Sequence, residues 1–262
     1  MLNFTTYGDP TDSPDLLIAH GLFGAGRNWG ALARSLSKGR RVVSVDMRNH
    51  GDSPWHESHD YKDLAGDLAG VIGTLGGPVD VLGHSMGGKA AMVLALTQPE
   101  LVNRLIVADI APVPYDHGQM QYIEAMKAVD LAKVGKRSDA EAQLAELMDD
   151  PTLPGFFTQS IDIKAGKWRL NLDVLAREMP RILSFPDDLL GPYEGPALFL
   201  SGAESDYVKR EYRPVIKELF PAAQFAKIPD AGHWLHAEKP QEFEAALRVW
   251  LDQSGTDSGT DA

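Results

Sequence analysis

The pentapeptide GHSMG at residues 83–87 has the residue types and the spacing of a serine nucleophile. It fits the pattern G-x-S-x-G, and it lies between an apolar run, VDVL, and a helical pattern, KAAMVLAL. A serine in a sharp turn between strand and helix projects from the sheet edge, and the flanking glycines avoid clashes with neighbouring backbone. The alternative is a glycine-rich turn with a capping serine, and G-x-S-x-G without its context is a weak signal, but here a strand pattern precedes the motif and a helix pattern follows it. The motif therefore predicts nucleophilic catalysis by Ser85.

A serine hydroxyl needs a base to accept its proton, and histidine is the usual base. His233 lies in AGHW near the end of the chain, and two aspartates precede it in positions suited to a third partner. Asp109 follows the apolar run RLIVA, where a carboxylate needs a partner. Asp206 follows PALFLS, although it could instead cap the next helix. These residues predict a Ser-His-Asp triad and leave the choice of acid open.

A second glycine-containing turn, HGLFG at residues 20–24, follows the apolar run LLIA. If its strand lies beside the Ser85 strand, the turn offers a backbone N–H to an oxyanion, and the amide of Met86 offers another. We expect Leu22 to be the donor from this turn, with Phe23 as the alternative. His20 is expected to hold the turn by hydrogen bonds.

Short apolar runs alternate with amphipathic stretches in the first 110 residues. The predicted strands are 16–20, 41–48, 79–84 and 104–108, and the predicted helices between them are 28–37, 61–75 and 85–98. This alternation is typical of βαβ units and of an α/β fold with a mostly parallel central sheet flanked by helices.

The strand signal stops after residue 110 and returns near residue 196. The interval contains helical patterns at 120–134, 138–148 and 171–183. We therefore expect a core formed by residues 1–110 and 192–252, with a helical cap inserted at 111–191. The last ten residues, 253–262, are Gln, Gly, Ser, Thr, Asp and Ala, and this composition predicts a disordered tail.

Several longer motifs resemble those of the YbfF-type esterases, a group of the α/β-hydrolase superfamily that includes a mitochondrial α/β-hydrolase-domain protein. The matching stretches, which run through nearly the whole chain, are AHGLFGAGRNW (19–29), VDMRNHGDSP (45–54), LGHSMGGKAAM (82–92), ADIAPVPY (108–115), WRLNLDVL (168–175) and AGHWLHAEKPQEF (231–243). The R-N-H-G-x-S-P and W-R-x-N-L segments are more specific than the serine motif.

The resemblance implies an α/β-hydrolase fold with a cap inserted after the strand that the family counts as β6. It implies a serine hydrolase acting on acyl esters or on acyl thioesters such as acyl-CoA, and it favours Asp109 as the triad acid. A C–C bond hydrolase or a perhydrolase on the same scaffold is the alternative, and a non-catalytic ligand-binding relative is a weaker one. Five residues are expected to line the substrate pocket: Phe23, His84, Tyr122, Trp168 and Trp234.

Composition excludes several classes of protein. The 262 residues contain no cysteine, so there is no disulfide framework, thiolate metal site or cysteine nucleophile. The net charge of −12 argues against a nucleic-acid partner.

No leader peptide and no run of 18 apolar residues is visible, so we expect a cytoplasmic protein without a membrane span. We expect no metal, because His56, His59 and Asp60 fit a polar loop, and no organic cofactor.

Overall fold

A computed structural model describes residues 1–116, 118–189 and 191–252. The strands are β1 Phe4–Tyr7, β2 Leu16–Ala19, β3 Val42–Val45, β4 Val79–His84, β5 Val102–Ala108, β6 Ile161–Asp162, β7 Lys167–Trp168, β8 Ala197–Gly202 and β9 Ala223–Ile228. The α-helices are α1 Gly30–Leu36, α2 Tyr61–Leu75, α3 Met86–Thr97, α4 Met120–Ala128, α5 Arg137–Ala145, α6 Leu153–Phe157, α7 Leu172–Arg177, α8 Met179–Leu183, α9 Arg213–Leu219, α10 Leu235–Glu238 and α11 Pro240–Leu251. The predicted tail at 253–262 lies outside the described residues.

The main sheet has the strand order β1-β3-β2-β4-β5-β8-β9. Only β1 is antiparallel to its neighbour, and all other adjacent strands are parallel. The predicted α/β fold with a mostly parallel sheet is confirmed. Because β2, β4, β5, β8 and β9 run in the same direction, the turns after these strands meet at one edge of the sheet.

Helices cover both faces of the sheet, and alternate side chains of each strand enter opposite layers. In β2, Leu17 and Ala19 pack in the layer that contains α2, α3 and α9, whereas Leu16 and Ile18 pack with α1 and α11. A strand that is buried on both faces must be apolar throughout, which explains the uninterrupted run LLIA. The helix α3, which follows the serine motif, is buried from Met86 to Leu96 and packs against α2, β4 and β5.

The segment between β5 and β8 contains α4 to α8 and a small antiparallel pair, β6–β7. The strand that directly precedes this segment is β5 of this chain, which corresponds to the strand expected under the family's number β6. Two predicted boundaries are wrong. The helix expected at 120–134 ends at Ala128, and the helix expected at 171–183 is divided into α7 and α8. Pro180 in the first turn of α8 has no amide hydrogen, so it begins a new helix more easily than it continues one.

None of the helices in the described ranges is both long and apolar enough to cross a membrane.

Candidate active site

The turn between β4 and α3 holds Ser85 in a backbone conformation that non-glycine residues rarely adopt, with φ 51° and ψ −119°. Glycines on either side make this turn sterically possible. A Cβ at Gly83 would lie 2.3 Å from the carbonyl oxygen of Gly87, and a Cβ at Gly87 would lie 2.3 Å from the carbonyl oxygen of Ala19. The sharp turn expected from G-x-S-x-G is present, and Ser85 lies at the start of α3.

Ser85, His233 and Asp109 form a continuous hydrogen-bonded chain. The Nε2 atom of His233 is 3.0 Å from Ser85 Oγ, and its Nδ1 atom is 2.8 Å from Asp109 Oδ2. His233 comes from the turn after β9, and Asp109 comes directly after β5. If Nδ1 carries the proton and donates it to the carboxylate, Nε2 is left to accept the proton of Ser85. The turns after β4, β5 and β9 thus bring a serine hydroxyl, a carboxylate and an imidazole together at one edge of the sheet.

The loop after β8 contributes donors to Asp109. The amide of Gly202 donates to Asp109 Oδ1 at 3.1 Å, and the hydroxyl of Ser205 donates to Oδ2. Asp109 is completely buried, so its charge requires such partners. Asp206, the alternative acid, is exposed, and among the described residues the hydrogen bond of His233 Nδ1 goes to Asp109 instead. Sequence reasoning did not identify Ser205 as a partner of Asp109.

Two backbone amides near Ser85 remain free for an oxyanion. Within the described residues the amides of Leu22 and Met86 donate to no acceptor, and Met86 is the first residue of α3. The first amides of a helix have no acceptor inside the helix. The amide of Phe23, the alternative donor, already donates to His50 Nε2 at 3.1 Å. The geometry thus favours Leu22 over Phe23.

A cavity of about 190 Å³ opens beside Ser85 and His233. Four of the five predicted pocket residues line it: Phe23, His84, Tyr122 and Trp234. Trp168 is the exception, because its buried indole N–H donates to the carbonyl of Met126 within the inserted segment, 3.0 Å away.

Sequence reasoning missed Tyr207, whose ring stacks on His233 with centroids 3.9 Å apart.

Comparison with known proteins identifies the family. A profile of the Alpha/beta hydrolase family matches residues 16–246, a range that contains Ser85, Asp109 and His233. The chain belongs to the α/β-hydrolase family.

Relatives of this α/β-hydrolase include named esterases and lipases. It is 42% identical over 255 residues to the sn-1-specific diacylglycerol lipase ABHD11 of Mus musculus, covering 93% of this chain and 82% of the relative. It is 36% identical over 253 residues to Esterase YbfF of Escherichia coli (strain K12), covering 95% and 96%. A solved structure described as a marine microorganism esterase matches with 37% identity and a TM-score of 0.90, covering 95% and 98%. The resemblance to YbfF-type esterases is confirmed, and these names support a carboxylic ester hydrolase.

The site of this α/β-hydrolase is surrounded by histidines that burial keeps neutral. Burial is the main cause that lowers the pKa of His20, of His50 and of His84, and it lowers the pKa of His59 and of His236 to about 3. A neutral imidazole donates with one nitrogen and accepts with the other, so these rings can hold turns in place. No group of three or more His, Asp or Glu side chains in the described ranges is arranged to hold a metal ion.

One lysine also lines the cavity. Lys89 lies one helical turn after Ser85, and its ammonium donates to the backbone carbonyls of Val113 and Leu183 at 2.9 and 3.0 Å and to that of Ser184. Burial lowers the pKa of Lys89 to about 7. Its acceptors come from both ends of the segment between β5 and β8, so Lys89 joins this segment to α3, the helix that begins directly after Ser85.

Proposed function

We propose that this α/β-hydrolase cleaves carboxylic acyl esters through Ser85, His233 and Asp109 by way of an acyl-enzyme. The observation that carries the proposal is the hydrogen-bonded chain from Ser85 Oγ through both ring nitrogens of His233 to the buried carboxylate of Asp109. A nucleophile, a base and an orienting acid in this order are the arrangement that acyl transfer requires.

In the first step, Ser85 Oγ forms a bond to the carbonyl carbon of the ester as His233 Nε2 takes the hydroxyl proton. The carbonyl oxygen becomes an oxyanion and accepts hydrogen bonds from the amides of Leu22 and Met86. Removing one such donor in a known hydrolase costs about 3–4 kcal/mol in the transition state. Asp109 remains ionised and stabilises the imidazolium that forms.

The tetrahedral intermediate then collapses, the bond to the leaving group breaks, and His233 gives its proton to the leaving oxygen. In the second step, His233 accepts a proton from water as the water oxygen attacks the acyl carbon. Collapse of the second intermediate releases the carboxylic acid and returns the proton to Ser85 Oγ. No atom from outside the chain, the ester and water is needed.

The side chains that the segment between β5 and β8 places in the cavity wall favour a substrate with an apolar acyl group. We propose that residues 111–191 form a cap on a core of residues 1–110 and 192–252, as their pattern predicts. The cap contributes Tyr122, Phe157, Ile182 and Leu183 to the cavity wall. These side chains suit a hydrocarbon chain.

We also propose that acyl thioesters are possible substrates, because the attack of Ser85 on the carbonyl carbon is the same for them. A thiolate leaves without needing a full proton from His233, whereas an alkoxide needs it. A panel of oxygen esters and CoA thioesters with matched acyl chains, from two to sixteen carbons, would identify the preferred leaving atom and chain length. The mouse relative named a diacylglycerol lipase makes glycerolipid esters a further class for this panel.

The function is tested by the Ser85→Ala substitution. Turnover of p-nitrophenyl butyrate should fall by at least about 10³-fold, because loss of a triad serine removes the covalent route. Ser138→Ala, which changes an exposed serine of the cap, is the matched control and should keep the wild-type rate. A fluorophosphonate probe should label the wild type and the control but not the Ser85 variant. Wild-type turnover by the Ser85→Ala protein would contradict the proposal.

A further inference from the structure

The loop after β3 contains the buried segment Arg48–His50, part of the R-N-H-G-x-S-P motif that the proposed chemistry does not use. Asn49 and His50 are completely buried, and Asn49 has φ 65°. A buried non-glycine residue with positive φ is uncommon, and such strain persists only where surrounding contacts fix it. Specific contacts must therefore hold this loop in its conformation.

His50 contacts the turn that supplies the oxyanion donor Leu22. The Nδ1 atom of His50 is 2.9 Å from the carbonyl oxygen of Arg48, and Nε2 is 3.1 Å from the amide nitrogen of Phe23. A carbonyl can only accept and an amide can only donate, so Nδ1 carries the proton and Nε2 accepts. This contact fixes the peptide group between Leu22 and Phe23, where Phe23 has φ 65°.

The preceding peptide group is fixed from the same loop. The carbonyl of Gly21 accepts from the amide of Gly24 at 3.0 Å and from Nδ1 of His20 at 2.8 Å. Nε2 of His20 in turn accepts from the amide of Met47 at 2.9 Å. In a trans peptide the carbonyl and the N–H point in opposite directions. Fixing the carbonyl of Gly21 therefore directs the N–H of Leu22, and His50 fixes the next peptide.

The loop also reaches, through His59, the side chain of Met86, whose backbone amide is the second proposed donor. The side-chain amide of Asn49 donates to Nδ1 of His59 over 3.2 Å, and Nε2 of His59 lies 3.2 Å from Met86 Sδ. On its other side, Asn49 accepts from Asn171 of the W-R-x-N-L motif, with backbone and side-chain bonds of 3.0 and 3.1 Å. The R-N-H-G-x-S-P and W-R-x-N-L motifs thus contact each other through Asn49 and Asn171.

We infer that His50 is a positioning residue of the oxyanion hole: it occupies the amide of Phe23 and fixes the turn so that the amide of Leu22 faces the reacting carbonyl. This inference rests on the proposed function. It requires a neutral imidazole, because a protonated Nε2 could not accept from Phe23. Complete burial favours the neutral ring.

Two variants of His50 separate positioning from packing. In His50→Gln the side-chain oxygen reaches the place of Nε2 and can accept from Phe23. In His50→Asn the shorter side chain can still donate to Arg48 but cannot reach Phe23. We expect His50→Asn to lower kcat about 10- to 100-fold with KM changed less than about threefold, a smaller loss than removal of a whole donor. His50→Gln should stay within about threefold of wild type.

A second readout uses an acyl trifluoromethyl ketone, which forms a tetrahedral adduct with an oxyanion on the nucleophilic serine. His50→Asn should weaken its binding by the same factor as it lowers kcat/KM, while binding of the carboxylic acid product is unchanged. Equal losses in the two variants, or a His50→Asn enzyme within threefold of wild type in both assays, would overturn the inference.

The tautomer can be read in the wild-type protein without any variant. ¹⁵N NMR should show His50 protonated at Nδ1, with a hydrogen-bond coupling between Nε2 and the amide nitrogen of Phe23. A proton on Nε2 would overturn the inference even if His50→Asn fails to fold. Absence of Ser85-dependent turnover in the wild type would overturn the proposed function and this inference with it, whereas loss of the Gln–Asn difference overturns this inference alone.

Discussion

At the residue scale, the charge of Asp109 is supported from three directions although the side chain has no exposure to water. His233, Gly202 and Ser205 all donate to its two oxygens. These three hydrogen bonds hold the carboxylate of Asp109 in place beside the ring of His233. Asp206 is exposed one residue after Ser205, so the later loop contributes a hydroxyl donor where the sequence suggested an acid.

Asp109→Asn should therefore lower kcat by about 10³- to 10⁴-fold, because an amide accepts less strongly and favours the wrong histidine tautomer, as in the serine proteases. Asp206→Asn is the matched control and should stay within about twofold. Steady-state hydrolysis of p-nitrophenyl butyrate measures both. A larger loss in the Asp206 variant than in the Asp109 variant would reverse the assignment.

Local sequence was sufficient to single out Ser85 and His233, whose side chains lie 3.0 Å apart, because each lies in a short motif next to a strand. It could not choose between Asp109 and Asp206, because β5 and β8 are neighbours and both aspartates follow at the same sheet edge. The structure favours Asp109 because its carboxylate lies 2.8 Å from His233 Nδ1 whereas Asp206 is exposed, and a single sequence reveals neither position. Trp168 was misplaced because an aromatic residue does not show which acceptor its N–H will find.

At the element scale, the core could be predicted more fully than the inserted segment. Strands of the core such as β2 are continuous apolar runs, and the apolar residues of α2 recur at helical spacing. In both cases the sequence pattern matches the residues that the structure buries. The insert contains short helices, a two-residue strand pair and Pro180, and no period is sustained long enough to fix boundaries. Its attachment through the buried Lys89 was also not visible, since the acceptors are backbone carbonyls that carry no sequence signal.

Lys89→Met should remove the bonds from α3 to both ends of the insert while roughly keeping the side-chain volume. We expect KM for long acyl esters to rise several-fold more than KM for acetate esters, because Leu183, whose carbonyl accepts from Lys89, also lines the cavity. Lys164→Met, at an exposed position of the insert, is the control. An equal change in KM for short and long esters would contradict this role.

The lowered pKa of Lys89 also predicts the direction in which the free energy of unfolding changes with pH. The folded value is about 7, against an ordinary value of 10.5, so the unfolded chain binds more protons between these limits. The free energy of unfolding of the wild type, minus that of Lys89→Met, should therefore rise with pH from about 7 to about 10. One pKa unit corresponds to about 1.4 kcal/mol, so the rise from pH 7 to pH 9 should be about 2–3 kcal/mol. Urea unfolding at both pH values measures it, and a flat or falling difference would contradict burial of the charge.

At the scale of the whole molecule, the two edges of the sheet have different tasks. The carboxyl edge holds the proposed triad, and the opposite edge holds a buried ion network. Asp80, with no exposed surface, accepts from Arg40 at 2.8 Å and from Arg104 at 2.9 and 3.0 Å. Both arginines also donate to the carbonyl of Leu251, the last residue of α11, at 3.1 and 3.0 Å. The network fastens the C-terminal helix to the sheet.

Asp80→Asn should therefore destabilise the protein without altering its chemistry. The variant leaves two largely buried guanidinium groups without their carboxylate, and breaking a buried ion pair from one side costs roughly 3–5 kcal/mol. Asp80 is five residues before Ser85, about 16 Å at the rise of a β-strand, so kcat/KM of the folded variant should match wild type. Asp173→Asn, which removes an exposed partner of Lys127, is the control and should leave the urea midpoint nearly unchanged. If Asp80→Asn unfolds at the same urea concentration as the control, or lowers kcat/KM while folded, the two edges are not separable in this way.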